Sequence, residues 1–515
     1  YARLSDYISL AAAVTAIGTT PTELLFDSVT YVTANITIPS TITPIFRRPG
    51  LLSVDTGITL TMPCPIAGNY QIFAGSGNVV LSTSGTIYAD WFGCLADNST
   101  DSTTAFARLF YAINTTIQSG RLLFSTGTYL TGFNTAALST SNCFQLCTGL
   151  MILGQGTVIK VRDSANFVTG NYSAYGLIFD RCSRLKIEGL RLDGNATNLV
   201  YDNSTGQGAA LGIGLYGCQE VTIDDVEITA FGTDCLYIAA DPTAATTHSE
   251  NVTLRSLRLT NARRHCFSLV DCENLEAHGL KASGGGTIYQ NQAFNFGNCL
   301  DIEPNNAFTA VRNVDFTASS FGSAYSPSLA STGNQATVWQ VSFHTCEFTN
   351  TLHRAVQTES GNRQLRFYNC RINGELYSDA ELFDGCTVRV TDLVYRSARA
   401  LTLISDSRQL FDRCLIIVDS AIDKRWLFTD TSTITARRKI FRNCIFEKYG
   451  AAGIPDNAYI LRAANAVEFD GCDFSLLGAL PATAWRLNVS PDPTVNTEVM
   501  LRQCYSNSSF LQFYS

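Results

Sequence analysis

Two acidic residues in the segment NCLDIEPNN, residues 298–306, have the type and spacing that acid–base chemistry requires. Alternating apolar residues around them indicate a β-strand, on which residues two apart face the same side with Cα atoms about 6.5–7 Å apart. Asp301 and Glu303 are therefore expected to project together onto a solvated outer face. Paired carboxyl groups at this range can hydrolyse a glycosidic bond, one as the acid and the other as the nucleophile or base.

A short repeated pattern, apolar-x-x-apolar-x-apolar, predicts the architecture that positions this pair. Its spacing along the chain is unequal, which excludes rigid helical repeats, and the alternation in each instance marks short strands with a corner at the two-residue break. We therefore predict an all-β, right-handed single-stranded parallel β-helix with about twelve rungs, stacked roughly 4.8 Å apart. Its instances include Ile187/Leu190/Leu192, Val311/Val314/Phe316, Val390/Leu393/Tyr395 and Phe441/Cys444/Phe446.

A second apolar column, one strand later in each rung, predicts which side chains point outward. It aligns residues 233–238, 264–269, 298–303, 353–359 and 399–403. Glu359 follows Glu303 in this alignment, so it is expected about 4.8 Å away on the next rung. At that distance one of two carboxyl groups could keep its proton and serve as a general acid. Glu359 is therefore a third catalytic candidate.

The same outward columns contain candidates for substrate binding. His265 could act as a base or bind a sugar, Arg264 and Arg354 suit an anionic sugar, and Tyr237 could stack on a pyranose ring. Each of these residues could also be an ordinary solvated side chain on a strand face. The binding candidates are Asp234, Tyr237, Arg264, His265, Arg354 and Gln357.

Composition excludes several classes of partner and site. A net charge of -8 argues against nucleic acid and anionic membranes as partners, and no apolar run is long enough to span a bilayer. The sequence has 17 cysteines, an odd number, and most of them are isolated rather than paired in CxxC motifs. We therefore expect no metal and no cofactor, but buried reduced thiols from a reducing cytoplasm. Those at positions 346, 370, 414, 444, 472 and 504 are predicted to stack inside the coil.

The segment ADWFGCLADNSTDSTTAFARLF, residues 89–110, precedes GRLLFSTGTYLTG at 120–132. Together they resemble the opening of the pectate-lyase-like β-helix superfamily, in which a DWFG turn and a helical cap lead into the coils. Residues 99–115 have the capping residues and apolar spacing of that helix. The predicted organisation is a strand-rich lead-in over 1–97, the helix cap and first coil strands over 98–140, and the parallel β-helix over 141–515. The matching residues are Asp90, Trp91, Phe92, Gly93, Thr100, Asp101, Phe106, Gly120, Phe124, Gly127, Thr128 and Tyr129.

Within that superfamily the sequence resembles bacteriophage tailspikes. The resemblance implies a homotrimer that binds lipopolysaccharide O-antigen or capsular polysaccharide and cleaves it with a carboxylate pair. It also implies a virion tail protein, folded in the bacterial cytoplasm and active at the host surface. Attachment to the phage tail or baseplate would use a region outside this sequence, and no signal peptide is expected at its amino terminus.

Three other functions stay open at the level of sequence. A lyase or epimerase acting on uronates would need a base beside a group that neutralises the carboxylate, and His265 with Arg264 could supply both. A receptor-binding spike without catalysis and a secreted cellular polysaccharide enzyme are the remaining alternatives, because the fold alone does not determine chemistry.

Overall fold

The computed structural model describes residues 1–515 except 115–118, 133–142, 164–175, 200–210, 242–246, 288–296, 306–307, 323, 332–337, 359–363, 391–398, 404–408, 420–425, 431–438, 450–458, 464–466, 478–484, 490–498, 507–510 and 515. The chain forms two compact units, residues 1–258 and 259–515. None of the helices in the described part is long and apolar enough to cross a membrane.

The amino-terminal part of the first unit is built from short strands in three small sheets, β1-β2-β5, β3-β6-β8 and β4-β7-β9, all with parallel pairing. A helix also lies in this stretch, which was expected to be rich in strands. The Ser9 side chain accepts a hydrogen bond from the Ala12 N–H at 3.1 Å and caps that helix. The elements are β1 (Ala2–Arg3), α1 (Leu10–Ile17), β2 (Thr22–Phe26), β3 (Val29–Val32), β4 (Ile36–Thr37), β5 (Ile42–Phe46), β6 (Leu51–Val54), β7 (Thr59–Met62), β8 (Phe73–Gly75) and β9 (Asn78–Leu81).

The predicted cap helix is present as α2 (Thr103–Ala112). The Asp101 carboxylate accepts the Thr103 N–H at 3.0 Å and satisfies one of the free donors at the start of the helix. Phe106, Leu109 and Phe110 are fully buried, as the spacing predicted. The helix therefore packs its apolar side against the first strands of the coil, where the Phe106 ring lies 6.0 Å from that of Phe124.

The rest of the first unit is a series of coils whose strands pair in parallel in three stacks. The first stack is β10-β12-β15-β17-β19-β22, the second is β11-β13-β15-β17-β20, and the third is β14-β16-β18-β21. The strands are β10 (Thr86–Tyr88), β11 (Asp97–Asp101), β12 (Gly120–Phe124), β13 (Gly127–Thr131), β14 (Phe144–Gln145), β15 (Leu150–Val161), β16 (Leu177–Asp180), β17 (Ser183–Asp193), β18 (Ile213–Tyr216), β19 (Gln219–Asp224), β20 (Glu227–Thr229), β21 (Leu236–Ala239) and β22 (Glu250–Arg255). The division between the units falls within β23 (Arg258–Thr260).

The second unit also has three stacks of parallel strands. The first is β25-β28-β31-β33-β35-β38-β41-β44-β46, the second β26-β29-β32-β34-β36-β39-β42, and the third β24-β27-β30-β32-β34-β37-β40-β43-β45-β47. This pairing confirms the right-handed parallel β-helix. The strands are β24 (Phe267–Leu269), β25 (Cys272–His278), β26 (Lys281–Ser283), β27 (Leu300–Ile302), β28 (Val311–Thr317), β29 (Ser320–Gly322), β30 (Leu329–Ser331), β31 (Val338–His344), β32 (Glu347–Thr358), β33 (Leu365–Tyr368), β34 (Arg371–Ser378), β35 (Leu382–Asp384), β36 (Thr387–Val390), β37 (Arg399–Leu403), β38 (Gln409–Asp412), β39 (Leu415–Asp419), β40 (Trp426–Asp430), β41 (Lys439–Arg442), β42 (Ile445–Tyr449), β43 (Tyr459–Ala463), β44 (Val467–Asp470), β45 (Trp485–Val489), β46 (Val499–Arg502) and β47 (Leu511–Tyr514).

The corner between the first and second stacks is made by one residue in the left-handed conformation, at the second position of the two-residue break. Thr345, Asn369 and Gly385 have φ of 51°, 52° and 63° at three successive corners. Asparagine and glycine tolerate this conformation best. A Cβ at Gly385 would lie 2.4 Å from Asn369 Oδ1 of the preceding corner, so a larger residue here would require the Asn369 side chain to move.

Two instances of the repeat were assigned to the wrong residues. In the structure the relevant corners are Phe316/Ser319/Phe321 and Phe383/Cys386/Val388, rather than the triplets beginning at Val311 and Val390. In the first case a serine occupies the apolar middle position. In the second the coil is short, and Leu393 and Tyr395 of the predicted triplet lie outside the described residues.

The interior of the second unit contains stacked phenylalanines and stacked cysteines. Ring centroids of successive phenylalanines in the first stack are 4.5–5.1 Å apart from Phe316 to Phe469. All 17 cysteines are free thiols, and 15 of them are buried. Each ladder thiol contacts a backbone oxygen of the preceding coil, as Cys370 Sγ does with Phe343 O at 3.3 Å. The predicted cysteine ladder is confirmed, with Cys386 added and Cys504 only half-buried.

Candidate active site

A pocket of about 270 Å³ lies on the outer face of the second unit, over the third stack of strands. Ser268, Asp301, Ala330 and Gln357 are in register on β24, β27, β30 and β32, so they form one outward column with steps of about 4.8 Å. Because Ala330 has only a methyl group, the space of about 10 Å between Asp301 and Gln357 stays open. The pocket is lined by His265, Asn298, Asp301, Glu303, Ser326, Pro327, Ala330 and Gln357.

Close backbone packing places Asn298 beside this column. A Cβ on Gly297 would lie 2.1 Å from Gly286 N, so only glycine allows the two segments to approach. The Asn298 carbonyl accepts the Cys266 N–H at 2.9 Å and joins the two neighbouring coils. The glycines at 284–286 and 297 therefore fix the turn that presents Asn298 to the pocket.

Asp301 is buried, which corrects the expectation that it faces solvent. It lies on the outer side of β27, since Leu300 and Ile302 on either side point into the core, but only 4% of its surface is accessible. Its Oδ1 accepts a hydrogen bond from Asn298 Nδ2 at 3.1 Å, and its Oδ2 lies 3.4 Å from His265 Nε2. Both donors favour the ionised form of the carboxyl group.

His265 is also buried, with 3% of its surface accessible. Its Nδ1 accepts the backbone N–H of Asn298 at 3.0 Å, so that nitrogen has no proton. The ring proton is therefore on Nε2 and faces Asp301, and the imidazole is neutral in this arrangement. His265 is positioned to hold the Asp301 carboxylate rather than to accept a proton from a substrate at Nδ1.

Asn298 has an unused hydrogen-bond acceptor at the pocket. Only 6% of the residue's surface is accessible, and within the described residues its Oδ1 has no hydrogen-bond partner. A buried acceptor without a donor is costly, so Asn298 is held beside Asp301 at the expense of one unsatisfied oxygen. Sequence reasoning had placed Asn298 in an outward column but gave it no role.

Glu303 lies at the exposed rim of the same pocket, as predicted. Its backbone N–H donates to Leu269 O at 3.1 Å, which continues the parallel pairing just beyond the end of β27. Asp301 and Glu303 are two residues apart, so their Cα atoms are about 6.5–7 Å apart and both carboxyl groups line one pocket. One carboxyl group is thus buried and held by donors, while the other reaches solvent.

Gln357 borders the far side of the pocket and is held by Arg354. Arg354 Nη1 donates to Gln357 Oε1 at 3.0 Å, its Nε lies 3.5 Å from Glu375 Oε1, and its guanidinium lies 4.0 Å from the centre of the Tyr377 ring. Glu375 is buried, so it offsets the arginine charge at close range. Arg354 therefore supports Gln357 and does not itself line the pocket.

Several predicted site residues are elsewhere. Asp234 and Tyr237 belong to the first unit; Asp234 is fully buried, so its expected exposure is wrong, and Tyr237 is half-buried with its ring 5.7 Å from that of Tyr216. Arg264 is half-buried and is not part of the pocket lining. Glu359 lies outside the described residues. The alignment that put residues 353–358 one rung after 298–303 is wrong, because β30 pairs between β27 and β32.

The strand β30 is the element that sequence reasoning missed. Its segment SPSLAS, residues 326–331, supplies Ser326, Pro327 and Ala330 to the pocket. The only apolar signal there is Leu329 next to a single alanine, which is too short for a pattern search. Leu329 pairs with Leu300 on one side and with Val356 on the other. An alignment of this leucine with the two apolar residues is the signal that could have revealed β30.

The pocket is acidic. Its described lining contains two carboxyl groups and a neutral imidazole, with no lysine or arginine among them. In the described part of the chain there is also no group of three or more His, Cys, Asp or Glu side chains suited to a metal ion. The chemistry available from these residues is proton transfer and nucleophilic attack by carboxyl groups.

Comparisons with known proteins find only solved structures of low sequence identity to this chain. No protein-family model and no curated protein matches it. The ORF18 protein of Geobacillus virus E2 is 14% identical over 75% of this chain and 61% of that chain, with a TM-score of 0.39. The match thus spans less than two thirds of the viral protein. A thermostable GH87 α-1,3-glucanase from Streptomyces thermodiastaticus is 10% identical over 84% and 70%, with a TM-score of 0.43. An exopolygalacturonase from Thermotoga maritima is 12% identical over 82% and 92%, with a TM-score of 0.35.

Proposed function

We propose that this protein hydrolyses glycosidic bonds of a polysaccharide in the pocket formed by β24, β27, β30 and β32. The observation that carries this proposal is the arrangement of Asp301 and Glu303. One carboxylate is buried and held by two donors, and the other is exposed two residues away at the rim of the same pocket. The volume of about 270 Å³ is close to the lower end of ligand pockets and leaves room for one sugar ring.

The two carboxyl groups have different surroundings, which suits different roles. Asp301 accepts from Asn298 and faces the Nε2–H of His265, so it is the nucleophile or the base that activates water. Glu303 lies at the exposed rim beside Asp301, so it is assigned as the acid that protonates the leaving oxygen.

The charge of the pocket supports hydrolysis over elimination from a uronate. A lyase or epimerase needs a cation to neutralise the sugar carboxylate and a base to remove the neighbouring proton. The described lining has no cation, Arg354 is engaged by Glu375, and His265 Nδ1 accepts a backbone hydrogen bond. A sugar carboxylate would therefore meet the negative charge of Asp301 with no cation beside it.

We further propose that the chain is a bacteriophage tailspike that acts as a homotrimer on lipopolysaccharide O-antigen or capsular polysaccharide. The resemblance of residues 89–132 to the opening of the β-helix superfamily and the lead-in before it support this role. The protein would belong to the virion tail, joined to the tail or baseplate through a region outside this sequence.

The test is a screen of purified bacterial lipopolysaccharides and capsular polysaccharides for release of reducing ends. Glu303→Gln should abolish release from any polysaccharide that is cut, whereas Glu276→Gln should not. Glu276 is an exposed glutamate on β25 outside the pocket and is the matched control. Products with a new C=C bond, seen by ultraviolet absorbance, would instead identify a lyase. Binding without cleavage would identify a non-catalytic receptor-binding spike.

A further inference from the structure

A second and larger cavity, of about 850 Å³, lies on the outer face of the first unit. It runs over the first stack of strands, β10, β12, β15 and β17, and shares no residue with the pocket of the second unit. We name it the amino-terminal groove. It is lined by Asn69, Tyr88, Arg121, Leu123, Phe124, Ser125, Thr126, Met151, Leu153, Gly154, Gln155, Lys186, Glu188, Gly189 and Asp225.

The floor of the groove is apolar, although it is on the outer side of the sheet. Tyr88, Leu123 and Leu153 are in register on successive strands, and Glu188 follows them on β17. This column extends about 14 Å over three steps between strands. Outward positions on a solvated strand are ordinarily polar, so three apolar side chains in sequence mark a surface that binds something.

Tyr88 has a fixed orientation in this floor. Its ring lies 5.6 Å from that of Trp91, which is 1% exposed and donates its indole N–H to Gly68 O at 2.8 Å. The Tyr88 ring is therefore positioned before any ligand arrives. A preorganised aromatic surface loses little conformational entropy on binding.

Polar groups surround the floor, and their charges balance. Lys186 Nζ and Glu188 Oε2 form an ion pair at 2.6 Å, while Arg121 and Asp225 are exposed. Asn69 and Gln155 add two exposed amide side chains at the edges. Two cations and two anions leave no net charge, so the groove has no electrostatic preference for an ionic polymer.

We propose that the amino-terminal groove binds a short stretch of an uncharged glycan chain and does not cut it. The apolar floor fits the C–H faces of sugar rings, and the amides and guanidinium suit hydroxyl groups. The repeat of the strands, about 4.8 Å, is close to the advance of one sugar ring along a chain. The Glu188 carboxylate is paired with Lys186, and no cleavage is assigned to this groove.

The experiment measures binding of purified O-antigen and capsular polysaccharides of known composition to the Glu303→Gln protein, which removes cleavage. The probes include both uncharged and acidic polymers. Leu153→Asp puts a carboxylate into the apolar floor from an outward position and should weaken binding of an uncharged polymer by at least about tenfold. Thr253→Asp is the matched control, because Thr253 points outward from β22 in the column of Met151 and Lys186, outside the groove.

The outcomes separate this groove from the proposed active site. Weaker binding in Leu153→Asp, with unchanged release of reducing ends from a short oligosaccharide by the same single variant, would support the groove. Equal affinity of the Leu153→Asp and Thr253→Asp proteins, or binding of acidic polymers alone, would overturn it. A change in molecular mass of Leu153→Asp would show a contact between copies of the chain and would also overturn it. Absence of any cleavage would refute the hydrolase and leave the binding result to decide on the groove.

Discussion

The substitution Asp301→Asn should reduce both activity and stability, whereas Glu303→Gln should reduce activity alone. Asp301 is 4% exposed and receives the Asn298 amide at 3.1 Å and the His265 Nε2–H at 3.4 Å. An asparagine of the same shape has one acceptor atom, so its own NH2 group would face one of the two donors. The substituted pocket therefore contains opposed donors that the native pocket does not.

The size of the loss follows from these contacts. A hydrogen bond to a charged group contributes about 1.5–3 kcal/mol, and a buried donor left without an acceptor costs about 1–3 kcal/mol. The substitution also removes a buried negative charge. Because burying that charge costs free energy, its removal offsets part of the loss in stability. We expect a net decrease of about 1–3 kcal/mol in the free energy of unfolding. Glu303 is exposed, so Glu303→Gln should change the free energy of unfolding by less than about 0.5 kcal/mol.

The assay combines denaturant unfolding with release of reducing ends from the polysaccharide that the screen identifies. Loss of an acid or base should lower turnover by about 10²–10⁴-fold in each variant. Asp271→Asn is the control for stability, since Asp271 is buried and accepts the Ala310 N–H at 2.8 Å but does not line the pocket. Full activity of Asp301→Asn, or equal destabilisation by Glu303→Gln, would refute the reasoning.

Three further predictions concern the pocket, the thiols and the assembly. Ala330→Leu should fill the gap beside Asp301 and lower kcat/KM at least about tenfold without loss of stability, and unchanged kinetics would place the substrate elsewhere. Thiol titration should recover close to 17 groups in denaturant but mainly Cys64 and Cys504 without it, and disulfides would contradict the reduced ladder. Because burial raises the pKa of Cys64 to about 11, its labelling should accelerate with rising pH. Light scattering should give three times the chain mass of 56.0 kDa, and a monomer would contradict the trimer.

The sequence predicted the coils well where local chemistry repeats. Alternation of apolar residues and the two-residue break correspond to strands and left-handed corners, as at Thr345 and Asn369. The predicted triplet beginning at Val311 was wrong because Ser319 occupies the position where an apolar residue was sought. Its buried hydroxyl group gives no hydrophobic signal in the sequence. The short coil at Cys386 was missed because the triplet beginning at Val390, a few residues later in the chain, matched the apolar pattern equally well.

The site was only partly predictable. Alternation correctly put Asp301 and Glu303 on the outer side of one strand, since it depends on the strand period alone. Burial of Asp301 could not be read from that period, because the side chains that contact its carboxylate, Asn298 and His265, come from outside its strand. The register error at β30 had the same origin: a strand of three residues is determined by its neighbours in space and hardly by its own sequence.

Cleavage in water labelled with heavy oxygen tests the central claim most directly. If Asp301 and Glu303 hydrolyse a glycosidic bond, mass spectrometry of the products should find one labelled oxygen at the new reducing end. The label should be absent when Glu303→Gln replaces the native protein and present with Glu276→Gln. Unlabelled products with an unsaturated sugar at the new non-reducing end would contradict hydrolysis, and labelled products from Glu303→Gln at the native rate would contradict this site.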